Sequence, residues 1–469
     1  MMEKSFAGYI SLYIPFFFAI LLRDLPHVSY IIAWLGSFLI FYLTFSGRLH
    51  ALPADLPVLQ QLLRPVFLMH IIFAGYTACT SIFYYINALG YEYFTYVGRN
   101  FTNQYTFYDI AQCQRYYCLG HAALAHAIML KMNYPAEKKY QFTINSISTF
   151  LFQLSIICLT LSFAFVKFPF FSQFSIQLND LSFVSGTIAL AFAIKEKKNT
   201  LIGLCIILFA ANLLKATISG FKEPIIIVVL LLGVFLLPIY GKKIIPIFGA
   251  ILIALFILLP TFIGTFRGTA FAGGNVNEAR EKGIEAILNR ENLQRDLNEN
   301  YWQFLTNRLS EIHMFTGYVN STPRYIPYYR TTLVKQGIEA LIPRALWAGK
   351  PVTETLVMDR VYRAGVVIEQ SSVSAKPAYI VDCFLSYGYI GVWIGLFAFG
   401  YIAQIISLKA ESLFGGYFLG SAVMFAGLFQ VFWRGNCFEF LFNNVFWSFI
   451  TMIIFFYFLK FKSILSEAE

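Results

Sequence analysis

Residues 225–237 read Ile-Ile-Ile-Val-Val-Leu-Leu-Leu-Gly-Val-Phe-Leu-Leu, thirteen positions with no charge and no polar side chain. A half-buried strand would alternate polar and apolar residues, and a surface helix would turn polar every third or fourth position. This run does neither. Past Pro238 and the basic pair Lys242-Lys243, a second uncharged block runs from Ile244 to Ile263. Blocks of about 20 apolar residues are what a helix needs to cross hydrocarbon, whereas a membrane barrel shows alternating segments of about ten. The fold class expected is therefore an all-α integral membrane protein.

Composition agrees along the whole length. Of 469 residues, 58% are hydrophobic and only 13% are charged, about half the charge of an ordinary soluble domain. Hydropathy predicts spans near 5–22, 27–46, 66–88, 115–132, 142–166, 180–195, 200–215, 224–240, 244–263, 378–407, 415–432 and 440–459. The fourth and sixth are the weakest, the fourth because it holds His121 and His126 and the sixth because it is short. Ten spans is thus the alternative to twelve. The first segment, Phe6 to Leu22, lacks an Ala-x-Ala-like cleavage site and is expected to stay as an anchor, with the mature chain starting near Met1.

Charge orients the bundle. With the N-terminus inside, the inner loops carry Lys4, then Arg48 and Arg64, then Lys131, Lys138 and Lys139, then Lys195, Lys197 and Lys198. Lys242 and Lys243, Lys409, and finally Lys460 and Lys462 complete the series. The short outer loops hold fewer, so twelve spans with both termini cytoplasmic satisfy the positive-inside rule. The net charge of +10 is spread over these loops rather than gathered on one face, which argues against a nucleic-acid partner. The seven cysteines form no Cys-x-x-Cys pair, so neither a zinc site nor a disulfide framework is expected. His121 and His126 are five apart and do not share a helix face, so no metal is expected there.

The chain divides into a bundle of nine spans (1–263), a large outer loop (264–377), and three further spans with a cytoplasmic tail (378–469). The loop holds ten arginines, four lysines and eleven acids. Its periodicity predicts an amphipathic helix from Ala279 to His313 and a shorter one from Thr331 to Leu341, ended by Pro343. Within it, Arg267, Arg308 and Arg344 are candidates to hold a diphosphate, because guanidinium offers a rigid fork of donors and stays charged near lipid. Glu311 and His313 are candidates for a base. In the turn Lys215-Ala-Thr-Ile-Ser-Gly-Phe-Lys222-Glu223-Pro224, two lysines and a glutamate reach the bilayer edge, where charge is costly and often functional. Snorkelling lysines at helix ends are the plainer reading of the same turn. Lys350 and Arg434 complete the candidate binding residues, and Arg434 with Glu439 reads equally well as a surface ion pair. Gly391, Gly395 and Gly400 fit close packing of membrane helices.

Three short motifs carry a resemblance. Ser219-Gly-Phe-Lys-Glu223, Leu341-Ile-Pro-Arg-Ala-Leu-Trp347 through Lys350-Pro351, and Ser386-Tyr-Gly-Tyr-Ile-Gly391 look like the central turn, the loop motif and the post-loop span of Wzy-type polymerases. These belong to the O-antigen polymerase and ligase superfamily, and twelve spans with a late periplasmic loop resemble them too. The resemblance implies a GT-C-like architecture in the bacterial inner membrane. It implies a metal- and nucleotide-independent membrane glycosyltransferase without cofactor, which joins undecaprenyl-diphosphate-linked oligosaccharides into O-antigen, capsule or exopolysaccharide. Membrane lipids, chain-length regulators and flippase proteins are the implied partners. Within that reading, catalytic roles fall to Arg267, Arg308, Arg344, Glu311 and His313, and substrate binding to Lys215, Lys222, Glu223, Lys350 and Arg434. An O-antigen ligase, a polysaccharide flippase or transporter, and a membrane O-acyltransferase are the competing readings.

Overall fold

The structure is a computed structural model that describes residues 6–97, 104–134, 138–168, 171–218, 222–271, 275–288, 301–307, 309–344, 346–369 and 375–468. The chain is mostly helical, with two short two-stranded ribbons. Among the described residues seven stretches are long and apolar enough to cross a membrane: Pro26–Phe45, Pro65–Ala88, Ile147–Val166, Ser172–Lys195, Ile225–Phe266, Tyr379–Leu413 and Phe438–Phe461. Shorter apolar helices cover Gly8–Leu21, Asn199–Lys215 and Tyr417–Leu428. Ile225–Phe266 contains two helices, Lys222–Tyr240 and Ile244–Phe271, joined by the turn Gly241–Lys243. Large apolar side chains stay exposed along these helices, such as Leu21, Ile207, Ile253 and Phe461. A water-soluble fold would bury so continuous a surface, which is the arrangement expected of an all-α membrane protein.

One of the two weakest predicted spans lies at the centre. Gln104–Leu130 is a 27-residue helix whose second half is almost wholly buried, packed on Pro26–Phe45, Pro65–Phe73 and Tyr379–Leu413. Its alanines and histidines made it look marginal because apolarity was judged against lipid. A helix surrounded by other helices needs small residues for close approach, and Gly120, Ala122, Ala123 and Ala125 supply them.

Contacts join loops in two groups. At one end Arg64, fully buried, donates to both Glu411 oxygens (2.8 and 2.9 Å) and to both Asp55 oxygens (2.7 Å each). Its guanidinium also stacks 3.9 Å over the Tyr134 ring. At that end too, Tyr140–Phe142 pairs antiparallel with Leu465–Glu467. At the other end Trp302 Nε1 donates to Asn87 Oδ1 (2.8 Å), and the Tyr379 amide donates to the Gly435 carbonyl (2.6 Å).

Two expectations need correction. The predicted helix from Ala279 to His313 is not continuous: Val276–Leu288 and Ile312–Ser321 are separate helices, and residues 309–311 between the helical residues 301–307 and Ile312 are not helical. Among the described residues its apolar spacing is divided between Val276–Leu288, the helical residues 301–307 and Ile312–Ser321. The predicted single span over 378–407 is a hairpin. Tyr387 (φ −149°, ψ 28°) and Gly388 (φ 57°, ψ −133°) leave the helical region inside Tyr379–Leu413. The two arms then run antiparallel, with Cys383 against Gly391 and Gly395, and Tyr379 Oη donating to the Gly395 carbonyl at 3.3 Å. A Cβ at Gly391 would lie 2.0 Å from the Cys383 carbonyl oxygen, so the hairpin requires glycine there. Gly400 does pack as expected, against Leu124 of the central helix.

Candidate functional site

The hairpin positions the first element of the site. Its short arm carries Asp382, fully buried, toward the first turn of Phe438–Phe461, where Glu439 is also buried. Arg360, on the loop helix Thr353–Arg363, lies between them at 2% exposure. Nη1 donates to Glu439 Oε1 (2.6 Å), while Nη2 donates to Glu439 Oε2 (2.8 Å) and to Asp382 Oδ2 (3.0 Å). Asp382 Oδ2 also accepts from the Phe438 amide at 2.9 Å. Arg360 Nε and Asp382 Oδ1 have no hydrogen-bond partner among the described residues. Two carboxylates and one guanidinium leave this buried group short of positive charge, and the Arg360 fork is what makes it tolerable. Asp382, Cys437 and Glu439 bring ligand atoms within 4.8 Å of one another, but the guanidinium already supplies the cation that a metal would bring.

Next to this group opens a polar cleft of about 190 Å³ between the loop and the bundle, with Glu439 in its wall. Arg344, Lys350, Thr353, Gln173 and Asn443 line it as well. The two cations arrive there through one local structure. Pro343 ends the amphipathic helix Thr332–Glu339, and the chain turns through Trp347-Ala-Gly349 so that Lys350 folds back on it. Lys350 Nζ donates to the Ala340 and Ile342 carbonyls (2.8 Å each), and Arg344 donates more loosely to the Lys350 and Pro351 carbonyls (3.4 Å each). An ammonium has three protons, so Lys350 keeps one for a ligand. Burial, and after it the charge of Arg344, lower the Lys350 ammonium below its ordinary value of 10.5. Two cations sharing one cleft, with both oxygens of the nearest carboxylate held by Arg360, make a setting for an anion with several oxygens.

A family model described as "Domain of unknown function (DUF8712)" matches residues 14–467. The chain belongs to that family. The DUF8712 match encloses both the bundle and the loop, so the cleft between them lies within one family unit. No curated protein and no solved structure matches the chain.

Of the residues singled out from the sequence, the DUF8712 fold brings Arg344 and Lys350 together and disperses the others. Glu311 accepts from Tyr76 Oη at 2.5 Å, and His313, exposed, meets the Tyr84 ring edge to face at 5.5 Å; neither lines the cleft. Lys215 donates to Asn179 Oδ1 (2.5 Å) and lies over the Phe163 ring, away from the cleft. Arg434 does not pair with Glu439: it donates to Gln430 Oε1 at 2.6 Å, and Glu439 is held by Arg360. Arg434 instead borders a small apolar cavity with Tyr76, Phe399 and Trp433. Arg267 falls within the helix Ile244–Phe271, and Lys222 and Glu223 begin the helix Lys222–Tyr240. The side chains of these three, and the whole of Arg308, lie outside the described residues.

Sequence reasoning missed Arg360 and Asp382. An Arg in a polar loop reads as solvated, and one acid early in an apolar run reads as a helix start. The available signal was Asp382 itself, since an ionisable residue inside a predicted span calls for a partner. A second missed feature is His70, whose ring meets that of His121 at 5.4 Å inside the bundle, with Phe41, Phe45 and Phe73 around the pair.

Proposed function

We propose that this protein polymerises undecaprenyl-diphosphate-linked oligosaccharide units into a surface polysaccharide on the outer face of a bacterial inner membrane. The observation that carries the reading is the cleft holding Arg344 and Lys350 between the loop and the membrane bundle. Arg344 and Lys350 bind the diphosphate of the lipid carrier. As the glycosidic bond breaks, negative charge grows on that leaving group, and cations fixed beside it stabilise the transition state more than the ground state. Arg360 acts behind them: it holds both oxygens of Glu439, which weakens the repulsion between that carboxylate in the cleft wall and the diphosphate.

Twelve spans with both termini cytoplasmic complete the proposal. Support comes from which loops meet. Arg64, Tyr134 and Glu411 all belong to predicted inner loops or inner helix ends, as do Tyr140–Phe142 and Leu465–Glu467. Asn87, Trp302, Tyr379 and Gly435 all belong to the predicted outer side. Omitting either of the two weak spans, the fourth or the sixth, would put partners on opposite faces.

Deleting the gene in its host tests the function. Lipid-linked single units should accumulate on the periplasmic leaflet, and long chains should disappear. Accumulation on the cytoplasmic leaflet instead would mean that the protein flips the lipid and does not polymerise it.

A further inference from the structure

The large loop does not stand wholly clear of the bundle. Its helix Thr332–Glu339 lies along the last helix, with Gly337 against the Phe442 ring and the Leu341 carbonyl accepting from Trp447 Nε1 at 3.1 Å. Partners therefore advance together along the two segments. If Lys460 marks the inner boundary of the hydrocarbon, a thickness of about 30 Å at about 1.5 Å per residue puts the outer boundary near Phe440. Phe442 and Trp447 then lie roughly 3 and 10 Å inside it.

Away from the buried Leu333 and Gly337, this segment exposes Val334 (37%), Ile338 (55%) and Leu346 (74%), while Ile342 lines the cleft beside Phe440 and Asn443. Among its described residues, the carbonyls of the irregular part have the partners that hydrocarbon demands. Lys350 satisfies the carbonyls of residues 340 and 342, Trp447 that of 341, the amides of Leu346 and Trp347 that of 343, and Arg344 those of 350 and 351. A loop in water would leave such groups to solvent.

We propose that Val334 to Leu346 is a membrane-inserted segment, its apolar side chains among the acyl chains of the leaflet on the loop side. The occupant is lipid because the segment packs on Phe442 and Trp447 of a membrane-spanning helix whose own Phe446 and Phe449 are exposed. The cleft then opens at headgroup level, where a diphosphate on a lipid anchor sits. This inference does not rest on the reading of the activity.

The test is depth measured in plain phosphatidylcholine vesicles containing no lipid-linked sugar. Single cysteines in place of Ile338 and Leu346 carry an environment-sensitive fluorophore, with Lys335→Cys on the polar face as the control. The seven native cysteines are buried except the half-buried Cys79, and wild-type protein gives the background. The labels at 338 and 346 should emit to the blue of the label at 335. They should lose intensity to a spin-labelled lipid carrying its nitroxide near the carboxyl end of the chain, and little to aqueous iodide. Iodide quenching at 346 equal to that at 335 would overturn the proposal. So would blue emission that appears only at high protein-to-lipid ratio without quenching by the lipid, since a second copy of the chain would then be the cover.

Discussion

Arg360→Met removes the cation shared by two buried carboxylates while keeping much of the side-chain volume. Glu439 loses both of its Arg360 hydrogen bonds (2.6 and 2.8 Å), and Asp382 keeps only the Phe438 amide. Leaving a buried ion partner uncompensated costs roughly 3–5 kcal/mol. If that cost falls on the barrier to unfolding, the half-life of the folded protein at a fixed temperature drops by about two to three and a half orders of magnitude. The assay is the decay of monodisperse protein in detergent, because a membrane protein of this size unfolds irreversibly and its stability is a rate. Adding Glu439→Leu and Asp382→Asn to Arg360→Met removes the stranded charge, leaves an acceptor for the Phe438 amide, and should recover most of the loss. A wild-type half-life for Arg360→Met alone would refute the view that this ion group fastens the loop to the bundle.

Other consequences can be checked separately. Because the Lys350 ammonium lies below its ordinary value and must be charged to hold a diphosphate, kcat/KM should fall on the alkaline side at a lower pH than a free lysine would give, and Lys350→Arg should move that limb upward. Gly391→Ala forces a Cβ into the Cys383 carbonyl and should cost at least about 1–3 kcal/mol by the same decay assay, while Gly249→Ala, which meets nothing within 4 Å, should be neutral or slightly stabilising. Reporter fusions after Lys198 and Lys243 should register cytoplasm and a fusion at Lys335 should register periplasm; a cytoplasmic signal from Lys335 would invert the proposed orientation.

The helical membrane class was legible because apolar length is a local property: each of the predicted segments overlaps a helix, although 142–166 begins on a strand and 415–432 is broken at 429–430. Arg344 with Lys350 was legible for a similar reason, since Pro343 and Gly349 bring two cations six residues apart into one turn. The hairpin at Gly388 was not. Both of its arms are apolar, so hydropathy runs straight through the reversal, and a glycine there looks the same whether it packs or turns. The Arg360 group was also hidden, because its partners lie 22 and 79 residues away and no local pattern links them. Glu311 and His313 were drawn together with Arg308 by a periodicity that spans several helices, and the interruption after residue 307 is marked by no proline or glycine.

Purified protein in nanodiscs, given lipid-linked repeat units without metal or nucleotide and scored by chain length, tests the cationic cleft directly. Arg344→Ala loses charge and fork, and Arg344→Lys keeps the charge but loses the fork. A charge-assisted hydrogen bond worth roughly 1.5–3 kcal/mol in the transition state predicts about a ten- to hundred-fold slower polymerisation for Arg344→Ala. Polymerisation should fall in both variants at unchanged expression and half-life, because Arg344 is exposed and its only described bonds are two loose ones to its own loop. Wild-type chain lengths from Arg344→Ala in well-folded protein would contradict this expectation.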